Sequence, residues 1–209
     1  MYYKDMDDLI QIIKVLEPSE LKDLNEYIDT LKFEKSSVFG ETSDTTSDKG
    51  CRVDEDVRSS SGTTILETHE LTINFHSKIN LALDEYKKRV EKIHYNYSYY
   101  PVPGGIDTRS WREGIQILQY DKSQQYKFHH DAATRPEQKE YHRKISVIVY
   151  LNDGFEGGGT SFTHKTFKPK PGYALIFPSN WCYPHAGQVV EEGTKRVAVT
   201  WYYVEQVMN

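Results

Sequence analysis

Cysteine is scarce: among 209 residues only Cys51 and Cys182 carry a thiol. Two cysteines cannot build a disulfide framework or a four-cysteine zinc site. Long apolar runs are missing as well. The stretch Leu9-Ile10-Gln11-Ile12-Ile13-Lys14-Val15-Leu16 is short and broken by Gln11 and Lys14, well below the roughly 20 apolar residues of a membrane helix. There is no basic excess either. Lys and Arg number 26 against 31 Asp and Glu, for a net charge of -5, and this balance argues against nucleic acid as a partner. The opening Met1-Tyr2-Tyr3-Lys4-Asp5 has neither the basic n-region nor the apolar h-region of a secretory signal. The expectation is a cytoplasmic protein with reduced thiols and no membrane segment.

What the chain has in quantity is tyrosine. Sixteen Tyr bring aromatics to 13%, too rich for a disordered segment and suited to strands. The length fits one domain with one substantial core. Residues 9–16 read as a strand. Pro18 and Ser19 then start a helix, with Leu21, Leu24, Ile28 and Leu31 on its apolar face. Residues 40–50 are rich in Ser, Thr, Asp and Gly and read as an exposed loop. A second helix is expected over about 68–94, because Leu71, Phe75, Ile79, Leu83, Tyr86, Val90 and Ile93 recur every three or four residues.

After Pro101 the pattern changes. Segments 113–120, 126–131, 145–151, 160–164, 173–177 and 196–203 are short and rich in β-branched or aromatic residues. Turn residues such as Asn152-Asp153-Gly154 and Pro169-Lys170-Pro171-Gly172 separate them. Such a series implies a sandwich or small barrel, with the preceding helices backing one face of an antiparallel core. The division expected is one domain over 1–209: a support region over 1–96, with a mobile loop at about 40–62, and a β-core over 113–205.

The candidate chemistry lies in Tyr126-Lys127-Phe128-His129-His130-Asp131. In a strand, residues i and i+2 project to one face, so His129 and Asp131 would offer an imidazole and a carboxylate together. His185, after the apolar strand 173–177, could supply a third ligand. Two His and one carboxylate form the facial triad that leaves three positions open on Fe(II). His130 and His164 are the rival ligands. Cys182 is read as a core or rim thiol, since free cysteine is usually buried. Ten residues after His185 stands Lys195. A cation near an open metal site suits a dicarboxylate that chelates with one end and needs a positive partner at the other. Arg196, one place along, competes for that role. Tyr120, nine residues before His129, could donate a hydroxyl to the same carboxylate.

These segments resemble the Fe(II)- and 2-oxoglutarate-dependent dioxygenases, and among them the prolyl 4-hydroxylases. Val57-Arg58-Ser59-Ser60-Ser61-Gly62 is similar to the family's Arg-Thr-Ser-Ser loop. Glu113-Gly114-Ile115-Gln116-Ile117-Leu118-Gln119-Tyr120 resembles its Glu-x-Leu-Gln-Val-x-x-Tyr strand, and Gln125 to Asp131 its Gln-Tyr-x-x-His-x-Asp segment. Arg143 matches the Arg that opens the next strand. Gly157 to Phe162 fits Gly-Gly-x-Thr-x-Phe, and Gly172 to Phe177 fits Gly-x-Ala-Leu-x-Phe. The ten-residue step from His185 to Lys195 favours Lys195 over Arg196, and Trp201 follows six residues later. Two departures are Tyr203, where the family often has His, and Phe128, where Pro is common.

The resemblance implies a mainly β fold: a double-stranded β-helix (jelly roll) with N-terminal helices packed on the major sheet. It implies Fe(II) held by His129, Asp131 and His185, with the metal site on the minor sheet, and 2-oxoglutarate bound by Lys195 and Tyr120. It places Arg58, Ser60, Glu113, Tyr126, Arg143 and Trp201 at positions that hold a peptide. The implied activity is hydroxylation of prolyl residues in a peptide or protein, consuming O2, decarboxylating 2-oxoglutarate to succinate and requiring ascorbate. Tyr203 and the loop near residue 44 keep open a hydroxylase of another side chain, free amino acid or small metabolite. A jelly-roll module that binds Pro-rich peptides without catalysis is the other alternative.

Overall fold

The computed structural model describes residues 6–39, 51–93, 108–132 and 143–206. A 3-10 turn at Met6–Leu9 leads into β1 (Gln11–Lys14). Pro18 starts α1 (Pro18–Ile28), where its fixed φ and missing N–H cost nothing. Glu17 and Glu20 close a reciprocal capping box around that start. Short strands follow: β2 (Glu34–Lys35), β3 (Val38–Phe39), β4 (Cys51–Arg52) and β5 (Ser61–Thr64). Then comes α2 (Glu70–Ile93), whose buried row includes Phe75, Ile79, Leu83, Tyr86 and Val90. The expected start at 68 is two residues early, and His69 precedes the helix. Its Nδ1 accepts the Leu71 N–H there, while its ring stacks on Tyr27 at 3.8 Å.

The rest of the described chain is strand and turn. It comprises β6 (Thr108–Arg112), β7 (Gln116–Tyr120), β8 (Tyr126–His129), β9 (Arg143–Tyr150), β10 (Glu156–Gly157), β11 (Thr160–Phe162) and β12 (Thr166–Phe167). It ends with β13 (Tyr173–Pro178), β14 (His185–Gly187), β15 (Val190–Glu192) and β16 (Lys195–Gln206). The major sheet runs β1-β13-β9-β16-β7-β5-β2, with β6 also on β16. The minor sheet runs β12-β11-β14-β8. Every pairing is antiparallel. The architecture is a jelly roll with helices on the major sheet.

Alternation along the central strands divides the interior in two. In β9, Ile145, Val147 and Val149 face the helices and pack with Ile13, Ile28, Ile79, Leu83 and Ile176. Ser146, Ile148 and Tyr150, the alternate residues of β9, turn toward the minor sheet. There Tyr120, Tyr150, Val197 and Trp201 form one cluster, and Phe162, Phe167, Leu175, Phe177 and Tyr183 another. Burying the first face is what holds α2 on the sheet, at roughly 1.5–3 kcal/mol per large apolar side chain.

Several expectations need correcting. The strand expected at 9–16 is confined to Gln11–Lys14, and it is an edge strand of the major sheet, paired with β13. The strand expected at 126–131 ends at His129, so Asp131 lies in a bend beyond it. Of the loop expected at 40–62, residues 40–50 lie outside the described residues. Its far end is built into the major sheet: Ser61 and Gly62 pair with Gln119 and Leu118 of β7. His94 also lies outside the described residues, as does the side chain of Tyr203. His76, in α2, is buried against Arg112 and Glu67. No helix among the described residues is long and apolar enough to cross a membrane.

Candidate metal centre and anion pocket

His129 closes β8 and His185 opens β14, and the two residues sit directly opposite each other in the antiparallel ladder. Their rings lie 4.5 Å apart. Asp131 reaches back from the bend after β8, with Oδ1 3.4 Å from His129 Nε2 and Oδ2 3.6 Å from His185 Nε2. One donor atom from each of the three falls within 4.8 Å of the others. His130 and His164 are not in this cluster. His164 pairs instead with Asp7, and Cys182 packs at the edge of the aromatic cluster around Phe177.

The two imidazoles are oriented alike. His129 Nδ1 lies 2.8 Å from the Lys127 carbonyl and His185 Nδ1 3.1 Å from the Tyr183 carbonyl. A carbonyl only accepts, so each Nδ1 carries the proton and each Nε2 presents a lone pair toward the cluster. Burial pushes His185 down to about 4, which keeps its ring neutral at pH 7. Burial alone would raise the Asp131 carboxyl, but His185, His129 and the Ser146 hydroxyl outweigh it and hold the group far below the usual carboxylate range. Two imidazole nitrogens and one carboxylate suit a divalent first-row metal with open positions. Aromatic rings wall the site. Phe177 meets His185 edge-on at 4.8 Å, and Tyr126 stacks on His129 at 3.6 Å.

On the facing strands lies an unpaired charge. Lys195 stands opposite Tyr120 in the β16–β7 ladder, and Tyr150 of β9 is opposite Val197, two residues on and on the same face. Lys195 is only 3% exposed, and its Nζ lies 5.2 Å from the Tyr120 ring and 5.1 Å from the Tyr150 ring. Among the described residues it makes no ion pair or hydrogen bond. Burial, followed by the neighbouring Lys168 charge, brings it down to about 7. Gly158 makes room for it: a Cβ there would sit 3.0 Å from Phe155 and 3.2 Å from the Lys195 stem. A buried cation without a counter-ion is costly, and an arriving carboxylate would relieve that cost. Arg196 points the other way, to Asp29 and Gln119. Tyr120 and Lys195 were both expected here. Tyr150 and Thr160 were not, although their buried hydroxyls bond to each other at 2.8 Å beside Lys195. The alternation of β9 could have pointed to Tyr150, a phenol on the same inward face as Ser146 and Ile148.

Residues 115–203 match the family model of the 2OG-Fe(II) oxygenase superfamily. Over these residues the chain is similar to that superfamily. A protein of Acanthamoeba polyphaga mimivirus named "Putative prolyl 4-hydroxylase" is 36% identical over 43% of this chain and 44% of its own length. An Arabidopsis thaliana protein named "Probable prolyl 4-hydroxylase 10" is 28% identical over 83% of this chain and 61% of its own length. The chain thus spans less than two thirds of either relative. Among solved structures, the viral collagen prolyl hydroxylase of Paramecium bursaria Chlorella virus-1, in its 2OG complex, superposes with a TM-score of 0.62 at 21% identity, covering 93% of this chain and 95% of that one. A Pseudomonas putida prolyl-4-hydroxylase gives 0.62 at 15% identity, over 95% and 96% of the two chains. These likenesses establish that the chain has their fold.

The peptide positions expected from the sequence fall into two groups. Arg143 is clamped by Glu113 through two bonds of 2.5 and 2.6 Å, and its guanidinium lies 3.7 Å over the Trp201 ring. Its Nη1 also reaches the Asp131 carbonyl at 3.5 Å, which brings this trio to the metal centre. Arg58 lies over the other aromatic, 4.9 Å from the Tyr126 ring, and its backbone bridges Tyr126. Ser60 is 2% exposed and its hydroxyl is used between Arg58 and Ser36. It braces Arg58 and presents no free hydroxyl of its own.

Proposed function

We propose that this chain is an Fe(II)- and 2-oxoglutarate-dependent dioxygenase that hydroxylates prolyl residues in a peptide or protein substrate, yielding succinate and carbon dioxide. The observation that carries the reading is the pairing of two features across the jelly roll: a His129–Asp131–His185 donor set and a buried Lys195 with no partner among the described residues. A triad alone suits several metals and reactions, and a buried lysine alone suits any anion. Together they fit a dicarboxylate that chelates at one end and pairs with a cation at the other. The prolyl 4-hydroxylase names of the two curated relatives, and a solved prolyl hydroxylase of Trichoplax adhaerens in complex with a peptide fragment, support a prolyl peptide as substrate.

In this reading the Nε2 atoms of His129 and His185 and one Asp131 oxygen hold Fe(II). When bound, the metal activates dioxygen with electrons from 2-oxoglutarate. Lys195 pairs with the distal carboxylate, and the Tyr120 hydroxyl is its second donor. Phe155, Tyr150 and Val197 exclude water from that ion pair, which strengthens it. Arg143, held flat on Trp201 by Glu113, offers a rigid surface for peptide beside the metal, and Arg58 with Tyr126 forms the opposite rim. Ascorbate belongs to this proposal as a reductant that keeps the metal ferrous.

The test is mass spectrometry of collagen-like and Ser/Ala-Pro peptides incubated with protein, Fe(II), 2-oxoglutarate and ascorbate. The expected result is a gain of one oxygen atom on proline, matched by succinate. Succinate without any prolyl product, across the whole peptide panel, would overturn the substrate assignment. No succinate under any condition would overturn the enzyme.

A further inference from the structure

Ser146 and Ser179 are both fully buried, at 0% exposure. Ser146 sits where β9 would otherwise place an apolar residue against the inter-sheet core. Ser146 lies in β9 opposite Phe177 of β13 and Trp201 of β16, and Ser179 directly follows β13. The Ser146 hydroxyl is 2.6 Å from Asp131 Oδ2, and the Ser179 hydroxyl is 2.8 Å from Ser146. The direction of this chain is fixed by chemistry. An ionised carboxylate only accepts, so Ser146 gives its one proton to Asp131, and Ser179 must then donate to Ser146. The Ser179 backbone grips the same segment: its carbonyl accepts the Ala132 N–H at 2.9 Å, and its own N–H reaches the Lys144 carbonyl at 2.9 Å.

Asp131 needs such a device because it lies beyond the end of β8 and no ladder bond orients it. Its two oxygens are inequivalent. Oδ2 accepts the Ser146 hydroxyl and lies 3.6 Å from His185 Nε2, whereas Oδ1 lies 3.4 Å from His129 Nε2 and takes no hydroxyl among the described residues. We propose that the Ser146–Ser179 hydroxyl pair is a positioning device for the metal centre, which holds Asp131 as a one-oxygen ligand and keeps a coordination position open for co-substrate. The inference rests on the metal reading given above. Without the donor, Oδ2 is free to rotate onto the metal and the carboxylate loses its fixed angle. Groups that orient metal ligands in this way typically change metal affinity by about 10–100-fold when removed.

Co(II) is the probe, because it binds such sites and its visible bands report coordination geometry. Metal-free parent, Ser146→Ala, Ser179→Ala and Ser146→Thr are titrated with Co(II) by calorimetry and absorption, with thermal unfolding of each metal-free protein measured alongside. Ser146→Ala should bind Co(II) about tenfold more weakly than the parent, with shifted bands, while remaining folded. Ser146→Thr keeps the hydroxyl and should restore both affinity and bands. Ser179→Ala leaves the donor but not its orientation, and should cost about threefold. It decides the matter if Ser146→Ala does not fold. Parent-like Co(II) affinity and bands in folded Ser146→Ala, or in Ser179→Ala where it alone folds, would overturn the proposal. So would failure of the threonine to rescue. A parent that binds no Co(II) at a site abolished by His129→Ala would overturn the metal reading itself, and this inference with it.

Discussion

Lys195→Met removes one charge from the interior and keeps the length of the stem. In the metal-free protein the ammonium has no counter-ion among the described residues, and burial lowers it from 10.5 to about 7. At about 1.4 kcal/mol per unit, that depression corresponds to about 5 kcal/mol of destabilisation where the group is charged in both states. The sign follows from counting protons. Below pH 7 both folded and unfolded forms hold the proton and the whole penalty is present. Between about 7 and 10.5 the folded form has released a proton that the unfolded form still binds, so stability rises with pH. Above 10.5 the two forms are again alike. Methionine repacks imperfectly, so the expected gain near pH 6 is about 2–4 kcal/mol. For a chain of this size each kcal/mol moves the midpoint by about 2–4 °C. Thermal unfolding of metal-free parent and variant across pH reads the effect. The variant should melt higher near pH 6, and the difference should shrink toward pH 10. With 2-oxoglutarate and Co(II) the order reverses: the parent gains stability from the co-substrate and the variant gains none. A variant that melts at or below the parent near pH 6, with the parent's pH slope retained, would refute the unpaired-charge argument.

Arg196→Ala should leave 2-oxoglutarate affinity within about twofold of the parent, because its guanidinium is engaged with Asp29 on the helix side; a loss as large as that of Lys195→Met, read by calorimetry, would move the anchor. Glu113→Ala strands Arg143 with its bidentate partner gone, and denaturant unfolding should show a loss of about 3–5 kcal/mol. Arg58→Ala should raise the KM for peptide while leaving co-substrate affinity unchanged, since Arg58 faces Tyr126 and makes no contact with Lys195. It should also increase the 2-oxoglutarate consumed per hydroxylated product, measured as the succinate-to-product ratio.

Much of this site is legible in the sequence because it is carried by period and spacing. Pro18 marks the first turn of α1, and the three-to-four-residue recurrence from Leu71 to Ile93 marks α2. Short runs of β-branched and aromatic residues between turns mark β9, β13 and β16. Where the period fails, so does the reading. The strands β2, β3 and β4 are two residues each, too short to show any alternation. Asp131 meets His129 because the chain bends after β8, not because the two share a strand face. The hydroxyls of Ser146, Ser179, Tyr150 and Thr160 escape a sequence reading because their partners are 10, 15 or 33 residues away. Only tertiary contact reveals that a buried hydroxyl has a task. Ser60 shows the converse, since a motif position is filled by a side chain spent on bracing its neighbour.

The tethering of both imidazoles to carbonyls two residues back has a consequence for metal choice. Each ring is set by its own chain segment, at Lys127 and at Tyr183, so the nitrogen lone pairs are aimed before any ion arrives. A cup assembled in advance is filled quickly and can be emptied and refilled without refolding. It also has little means of refusing a competitor. Divalent Ni, Cu and Zn all prefer imidazole-rich sites over Fe(II) in the ordinary affinity series. Occupancy by iron is then governed by which ions the surroundings supply, and the same rigidity that readies the protein for its metal leaves it open to silencing by a tighter-binding one.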